Sequence, residues 1–254
     1  MPTSSIIEEI SGSLIGDQSS LMLFGSHARN EAGPHSDMDI LQLVEGKGRS
    51  YRAGRISVAV YSIVTLNKMA LHGNLFVLHL RCEGIILQDL TNRFSDVLNS
   101  YRPPVSYDPI KAALRLTLPL LDATESEYLK SRASLKDLAF YLLRTSLYIE
   151  FAELRRPLFS LRAIAQAKRD DALIRILELK NAGAESFDEF QEVVAYLEHH
   201  LETECRNVHG SPEALVTNVE AVSAFAAQLG LRLLSGDRSR FFGYEFPWDT
   251  SNFE

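Results

Sequence analysis

Cysteine is nearly absent from this 254-residue chain: Cys82 and Cys205 stand alone and far apart. Two isolated thiols offer neither a zinc-ligand spacing nor a disulfide framework, and both read as buried free thiols. A basic excess is missing too. Lys and Arg total 26 against 33 Asp and Glu, a formal net charge of -7. That argues against a non-specific nucleic-acid binder and still allows a local basic pocket. No apolar run approaches the ~20 residues that a membrane span needs. The opening MPTSSIIEEISGS has neither a basic stretch nor a long apolar core, so no export signal is expected. The expectation is a cytoplasmic protein with no membrane partner.

What the chain does have is an ordinary globular composition, 46% hydrophobic and 23% charged, and enough length for a real core. At roughly 100–200 residues per domain, one large or two small domains fit. Ser4 to Asp17 reads as a first helix, capped by Ser4 with Ile6, Ile7, Ile10 and Leu14 on one side. Leu21 to Phe24 is a short apolar run ending in Gly25-Ser26, which suits a buried strand entering a tight turn. Met38 to Val44 reads as a second strand, Gly46-Lys47-Gly48 as a turn, and Arg55 to Tyr61 as an alternating third strand. Leu66 to Arg81 is helical with a break at Gly73-Asn74, and Ile85 to Leu87 is a short fourth strand. Pro103-Pro104 after Arg102 stops both helix and sheet and marks the best boundary.

Beyond that boundary only helical spacing appears: Ile110 to Leu121, Leu135 to Leu154, Leu161 to Leu179, Phe187 to Val208 and Pro212 to Leu234. The expected fold is therefore an α/β domain over 1–102, with a short mixed sheet and helices. An all-α helical bundle follows over 103–236, then an aromatic tail over 237–254 that is either a docked arm or disordered.

The chemistry concentrates in Leu21 to Leu43. Ten residues separate Ser26 from Asp37, and Asp37 and Asp39 stand two apart before apolar Ile40 and Leu41. Residues two apart in a strand point to the same side, so both carboxylates project into one place. Like charges that close repel, and a cation between them relieves this. Oxygen-only ligation by few protein groups suits Mg²⁺, which completes its shell from waters and substrate phosphates. Gly25 lets the backbone approach a phosphate, and Ser26 supplies a hydroxyl and an N–H. A short helix starting at Ser26 would add free N–H groups. Arg29 could reach the same phosphates. His27 and His35 are left out of the metal site.

Taken together, these residues resemble the DNA polymerase β nucleotidyltransferase superfamily, whose pattern is strand, Gly-Ser, spacer, then Asp-x-Asp on the next strand. Gly25, Ser26, Asp37 and Asp39 match it. The form Gly-Ser-x-Ala-Arg with Ser-Asp-x-Asp is similar to the small bacterial branch, which includes minimal and antibiotic nucleotidyltransferases. The resemblance implies transfer of a nucleoside monophosphate from an NTP to a hydroxyl acceptor, with one or two Mg²⁺ ions and release of pyrophosphate. A small molecule such as an antibiotic, a protein or an RNA all remain as acceptors, seated in a cleft between the two halves. The nucleobase and the oligomeric state stay open, a homodimer included.

One feature of that family is missing. A third carboxylate usually stands on a neighbouring strand, where it completes the metal site or acts as base. Here that strand shows Ser57, Ala59 and Tyr61 on one side and Ile56, Val58 and Val60 on the other. Three explanations compete. A carboxylate from elsewhere could serve as base, with Glu150 and Asp89 leading over Glu83 and Glu153. Two aspartates could suffice with a water-rich Mg²⁺ shell. Or the protein could be a regulatory nucleotide binder, such as a toxin-antitoxin or defence component. In the helical half, Asp137, Tyr141, Arg144, Tyr148 and Arg155 form one stripe. Arg144 there could hold phosphate, against the plainer reading of a half-exposed face with snorkelling arginines. Arg206-Asn207-Val208-His209 has an Arg and a His too closely spaced for the RNA-cutting motif of related bundles, and reads as a helix end before Gly210.

Overall fold

A computed structural model describes residues 3–34, 36–182 and 186–236. His35 and the aromatic tail of 237–254 lie outside the described residues. The chain divides into two compact units, 1–105 and 106–254.

The first unit runs α1 (Thr3–Ser11), β1 (Ser20–Phe24), α2 (Gly25–Ala28), β2 (Met38–Val44), β3 (Tyr51–Ala53) and β4 (Ile56–Ser62). It continues with α3 (Ile63–Leu71), α4 (Leu75–Glu83), β5 (Ile85–Asp89) and α5 (Arg93–Ser100). Its five strands lie in the order β3-β4-β2-β1-β5. Only β2 and β4 pair parallel; the other neighbours are antiparallel, so the sheet is mixed. Strand alternation gives it two faces. Ile6, Ile10 and Leu14 cover one, packing on Leu21, Leu23, Ile40, Val58 and Leu87. Each such side chain contributes about 1.5–3 kcal/mol on full burial. The other face carries Phe24, Leu41, Leu43, Ala59 and Tyr61, with Phe76 of α4 against Phe24 and Tyr61 at ring separations of 5.4 and 5.8 Å. Every residue of β1 is buried.

The second unit is helical throughout its described residues: α6 (Asp108–Thr117), a 3-10 turn over Leu118–Leu121, α7 (Glu125–Glu153), α8 (Leu161–Lys168) and α9 (Asp171–Ala182). α10 (Phe187–Leu201), α11 (Pro212–Glu220) and α12 (Ala224–Ser235) complete it. Thr124 and Glu127 form a capping box at the start of α7, and Ser186 and Glu189 form another on α10. Each N-cap hydroxyl satisfies a backbone N–H that the helix itself leaves open.

Several expected elements are shorter. α1 stops at Ser11, not Asp17. The helix expected over Leu161 to Leu179 is two, because Arg169 turns left-handed at φ 53 and Asp170 Oδ1 accepts from Leu173 N. The helix over Pro212 to Leu234 breaks where Ser223 takes the cap of α12. α10 ends at Leu201, so Arg206 to His209 form a loop: Asn207 N donates to Asp122, and Asn207 Oδ1 accepts from His209 N. The helix end expected there is not present. Both described cysteines are free, but Cys82 is exposed and Cys205 half-buried, against the expectation of two buried thiols. No helix among the described residues is long and apolar enough to cross a membrane.

Candidate active site

The site is built where β1 ends and β2 begins. Phe24, the last residue of β1, pairs directly with Asp39. The chain then turns at Gly25, whose φ is 73°, a left-handed conformation that glycine adopts without steric cost. A Cβ at this position would overlap the Asp39 carboxylate. Gly25 thus allows the Gly-Ser turn to lie directly against Asp39. Ser26 follows in the single turn of α2, whose first N–H groups have no partner inside the helix. Glu31 N donates to the Ser26 carbonyl at 2.9 Å and closes the loop.

Asp37 stands one residue before β2. Its neighbour Ser36 is pinned from several sides: Arg55 donates to the Ser36 carbonyl at 2.7 Å, and Ser36 Oγ accepts from Gly33 N at 2.8 Å. His27 Nε2 lies 3.4 Å from the same carbonyl, so that imidazole clasps the loop. Met38 N bonds to Arg55 O at 2.8 Å, which fixes the entry into β2.

Register places two further residues in line with Asp39. Asp39 pairs with Ser57 on β4, and Ser57 pairs with Arg52 on β3. Paired residues share a face, so Asp39, Ser57 and Arg52 line up across three strands. The neighbouring-strand place facing Asp39 therefore holds a serine. Beyond it comes a cation, and Arg52 forms an ion pair with Asp37 Oδ1. That pair brings the Asp37 carboxylate to the face that carries Asp39. Sequence reasoning missed Arg52, because β3 is only three residues long and lacks any apolar alternation.

Several of the other candidates are held by partners of their own. Arg29 is engaged with Glu31 and Glu83, each at 2.8 Å. Glu83 also faces His79 Nε2 at 3.2 Å, and the His79 ring packs edge-on against Phe24. Burial pushes the Glu83 carboxyl up, but hydrogen bonds from His79 and Arg29 outweigh it and hold the group below its ordinary value. Glu83 is therefore a poor proton acceptor and a good anchor for Arg29.

Asp89 pairs with Ser20, four residues along β1 from Phe24, about 13 Å at ~3.3 Å per residue. Its two carboxylate oxygens accept from Arg93 N and Phe94 N at 2.9 and 3.0 Å. The structure thus places the Asp89 carboxylate at the start of α5, at the opposite end of β1 from the Gly-Ser turn.

Glu150 belongs to the helical unit. Lys168 Nζ donates to both its oxygens at 2.7 Å, so the unpaired burial expected of a base is not what surrounds it. The pair lines a cavity of about 290 Å³ with Lys111, Arg115, Glu153 and His200. Burial holds the His200 imidazole below its ordinary value, against the pull of Glu150. Glu153 is bound to Lys111 at 2.8 Å. Arg144 is half-buried on α7. The stripe it belongs to is not a half-exposed face: Tyr141 and Tyr148 are buried, and Tyr148 donates to Phe159 O at 2.6 Å. Arg155 lies beyond α7 in a left-handed turn.

A larger cavity of about 580 Å³, lined by Gln42, Val44, Lys47, Arg49 and Tyr51 among others, opens at the far end of β2. It holds neither aspartate, so size does not locate this chemistry.

The two aspartates fit a Mg²⁺ ion that takes most of its shell from phosphate and water. They do not make a self-sufficient cage: among the described residues no three Asp, Glu, His or Cys side chains cluster as metal ligands.

The family model of the nucleotidyltransferase domain matches residues 5–74. This stretch contains the Gly-Ser turn, both aspartates and all of β4, and ends before Glu83, Asp89 and Glu150. No curated protein matches the chain.

Proposed function

We propose, from the premise that residues 5–74 form a nucleotidyltransferase domain of the DNA polymerase β-like superfamily, that this protein transfers a nucleoside monophosphate from an NTP to a hydroxyl acceptor in a Mg²⁺-dependent reaction. The observation that carries this reading is the close approach of the Gly25-Ser26 turn to Asp39, with the Asp37 carboxylate brought to the same face. Asp37 and Asp39 would hold the ion, which supplies neutralisation of the triphosphate oxygens and of the departing pyrophosphate. Ser26 and the open N–H groups of α2 hold phosphate oxygens beside it. The acceptor oxygen bonds to the α-phosphorus as the α–β bridging bond breaks, and the hydroxyl proton passes to a base. Pyrophosphate release from each NTP, with Mg²⁺ and candidate acceptors, tests the reading; an absence of release with every acceptor class counts against it.

Ser26→Ala should lower turnover about 10- to 1000-fold, the scale of losing one charge-stabilising donor. Steady-state kinetics check this, and unchanged rates would leave the phosphate to the backbone alone.

Asp89→Ala should cost about 1 kcal/mol of stability, the loss of the carboxylate that caps the start of α5, and leave kcat unchanged. Denaturant titration alongside steady-state kinetics checks both.

A second reading has an observation of its own. Arg52 on Asp37, with Ser57 opposite Asp39, suits a protein that binds nucleotide without turning it over. Such a protein would bind NTP and release no pyrophosphate.

A further inference from the structure

Arg52 stands where a nucleotidyltransferase site has most use for negative charge. It is the third residue in the cross-strand line Asp39–Ser57–Arg52. Its Nε donates to Gly54 O at 3.1 Å, its guanidinium pairs with Asp37, and half of its side chain is exposed. Arg52 lies off the core side of β3: the flanking Tyr51 and Ala53 point to the opposite face, and Tyr51 is the one that packs in the core.

The charges give this placement a consequence. A divalent cation approaching Asp37 and Asp39 alone meets a guanidinium already paired with one of them, and like charges at contact distance repel strongly. A metal–triphosphate complex is different, because it is itself anionic. Its phosphates are attracted by Arg52, while its metal ion faces the two carboxylates. A guanidinium is planar, always charged and carries a fork of donors that matches phosphate oxygens. With half the side chain in solvent, the guanidinium can reach a phosphate from the same place on β3.

We propose that Arg52 is a triphosphate-binding residue that serves as the counter-ion of Asp37 until nucleotide arrives, so that the divalent cation enters with the nucleotide and not ahead of it. This rests on the assignment of Asp37 and Asp39 as the metal-holding pair. It also gives the serine at position 57 a reason: a third carboxylate there would sit between Asp39 and Arg52 and hold the guanidinium in place.

The test reads metal binding without catalysis. Free Mn²⁺ is followed by electron paramagnetic resonance in the wild-type protein, R52Q, R52K and R52Q/D39N. Each is measured alone and with ATP analogue blocked at the α–β bridge, and circular dichroism confirms the fold. In the wild type, Mn²⁺ should bind weakly alone and tightly with the analogue. R52Q should bind Mn²⁺ alone about tenfold more tightly, through loss of a competing charge, and bind the analogue about tenfold more weakly. R52K should stay close to the wild type in Mn²⁺ affinity, since it keeps the charge. Unchanged Mn²⁺ affinity in R52Q, or movement of both affinities in the same direction, overturns the role given to Arg52. If R52Q/D39N binds Mn²⁺ as well as R52Q, the metal assignment itself fails, a distinct result.

Discussion

Replacing either Asp37 or Asp39 by asparagine is expected to lower Mg²⁺-dependent transfer about 10³-fold or more while the protein stays folded. A neutral amide keeps the size and the hydrogen-bonding edge of the carboxylate and loses the charge that balances a divalent ion. The metal contributes several kcal/mol of charge stabilisation, and ~4 kcal/mol corresponds to about 10³ in rate. Folding should tolerate both changes. Both side chains are partly exposed and neither belongs to the apolar core. For Asp37 the loss of the Arg52 ion pair costs little, since exposed pairs contribute about 0–1 kcal/mol. Turnover and a thermal melt on the same preparations decide the matter. Activity close to wild type in both variants would remove the metal assignment.

Gly25→Ala should be the second severe change, and it should damage both stability and turnover. A φ of 73° costs a non-glycine residue about 1–2 kcal/mol. The added methyl would also overlap the Asp39 carboxylate. Either the turn or the aspartate must move, and a displacement of ~1 Å at a reacting centre costs about 100-fold in rate. Gly12→Ala is the matched control. Nothing lies within 4 Å of a Cβ at Gly12, so it should be neutral in turnover. Urea titration and kcat, measured for both variants, test the contrast. A Gly25→Ala protein with normal turnover would mean that Asp39 does not work from its place beside the turn.

The parts of this site carried by local pattern were legible in the sequence. The apolar run Leu21 to Phe24 becomes the fully buried β1, and the strand expected over Met38 to Val44 has those limits. Strand geometry is expected to set Asp37 and Asp39 on one side; Asp39 lies on β2, Asp37 stands one residue before it, and the Gly-Ser turn follows β1 directly. What depends on register between distant segments was not legible. That Phe24 meets Asp39, that Ser57 faces it and that Arg52 follows are facts of pairing, and no spacing in the chain encodes them. β3 escaped notice because Tyr51-Arg52-Ala53 is too short to show alternation. Asp89 reads as a candidate base because a carboxylate ends a strand, and its bonds from Arg93 N and Phe94 N, which cap α5, depend on how the chain turns after β5. Glu150 reads as buried from its apolar neighbours Ile149 and Phe151, while the lysine that pairs with it comes from another helix. The long helices read beyond residue 106 were periodic enough to find. Their internal breaks were not, since Asp170 and Ser223 act as caps only when the chain leaves the helix there.

The most direct test of the central claim follows the label of the nucleotide. The protein is incubated with Mg²⁺ and an NTP carrying radioactive phosphorus at the α position or, in parallel, at the γ position, in the presence of an acceptor mixture that includes the protein itself. The account predicts that α-label becomes attached to an acceptor, that γ-label appears only in pyrophosphate, and that both events vanish with chelator and in Asp39→Asn. Attachment of γ-label to an acceptor, or tight NTP binding with no pyrophosphate formed, would contradict it.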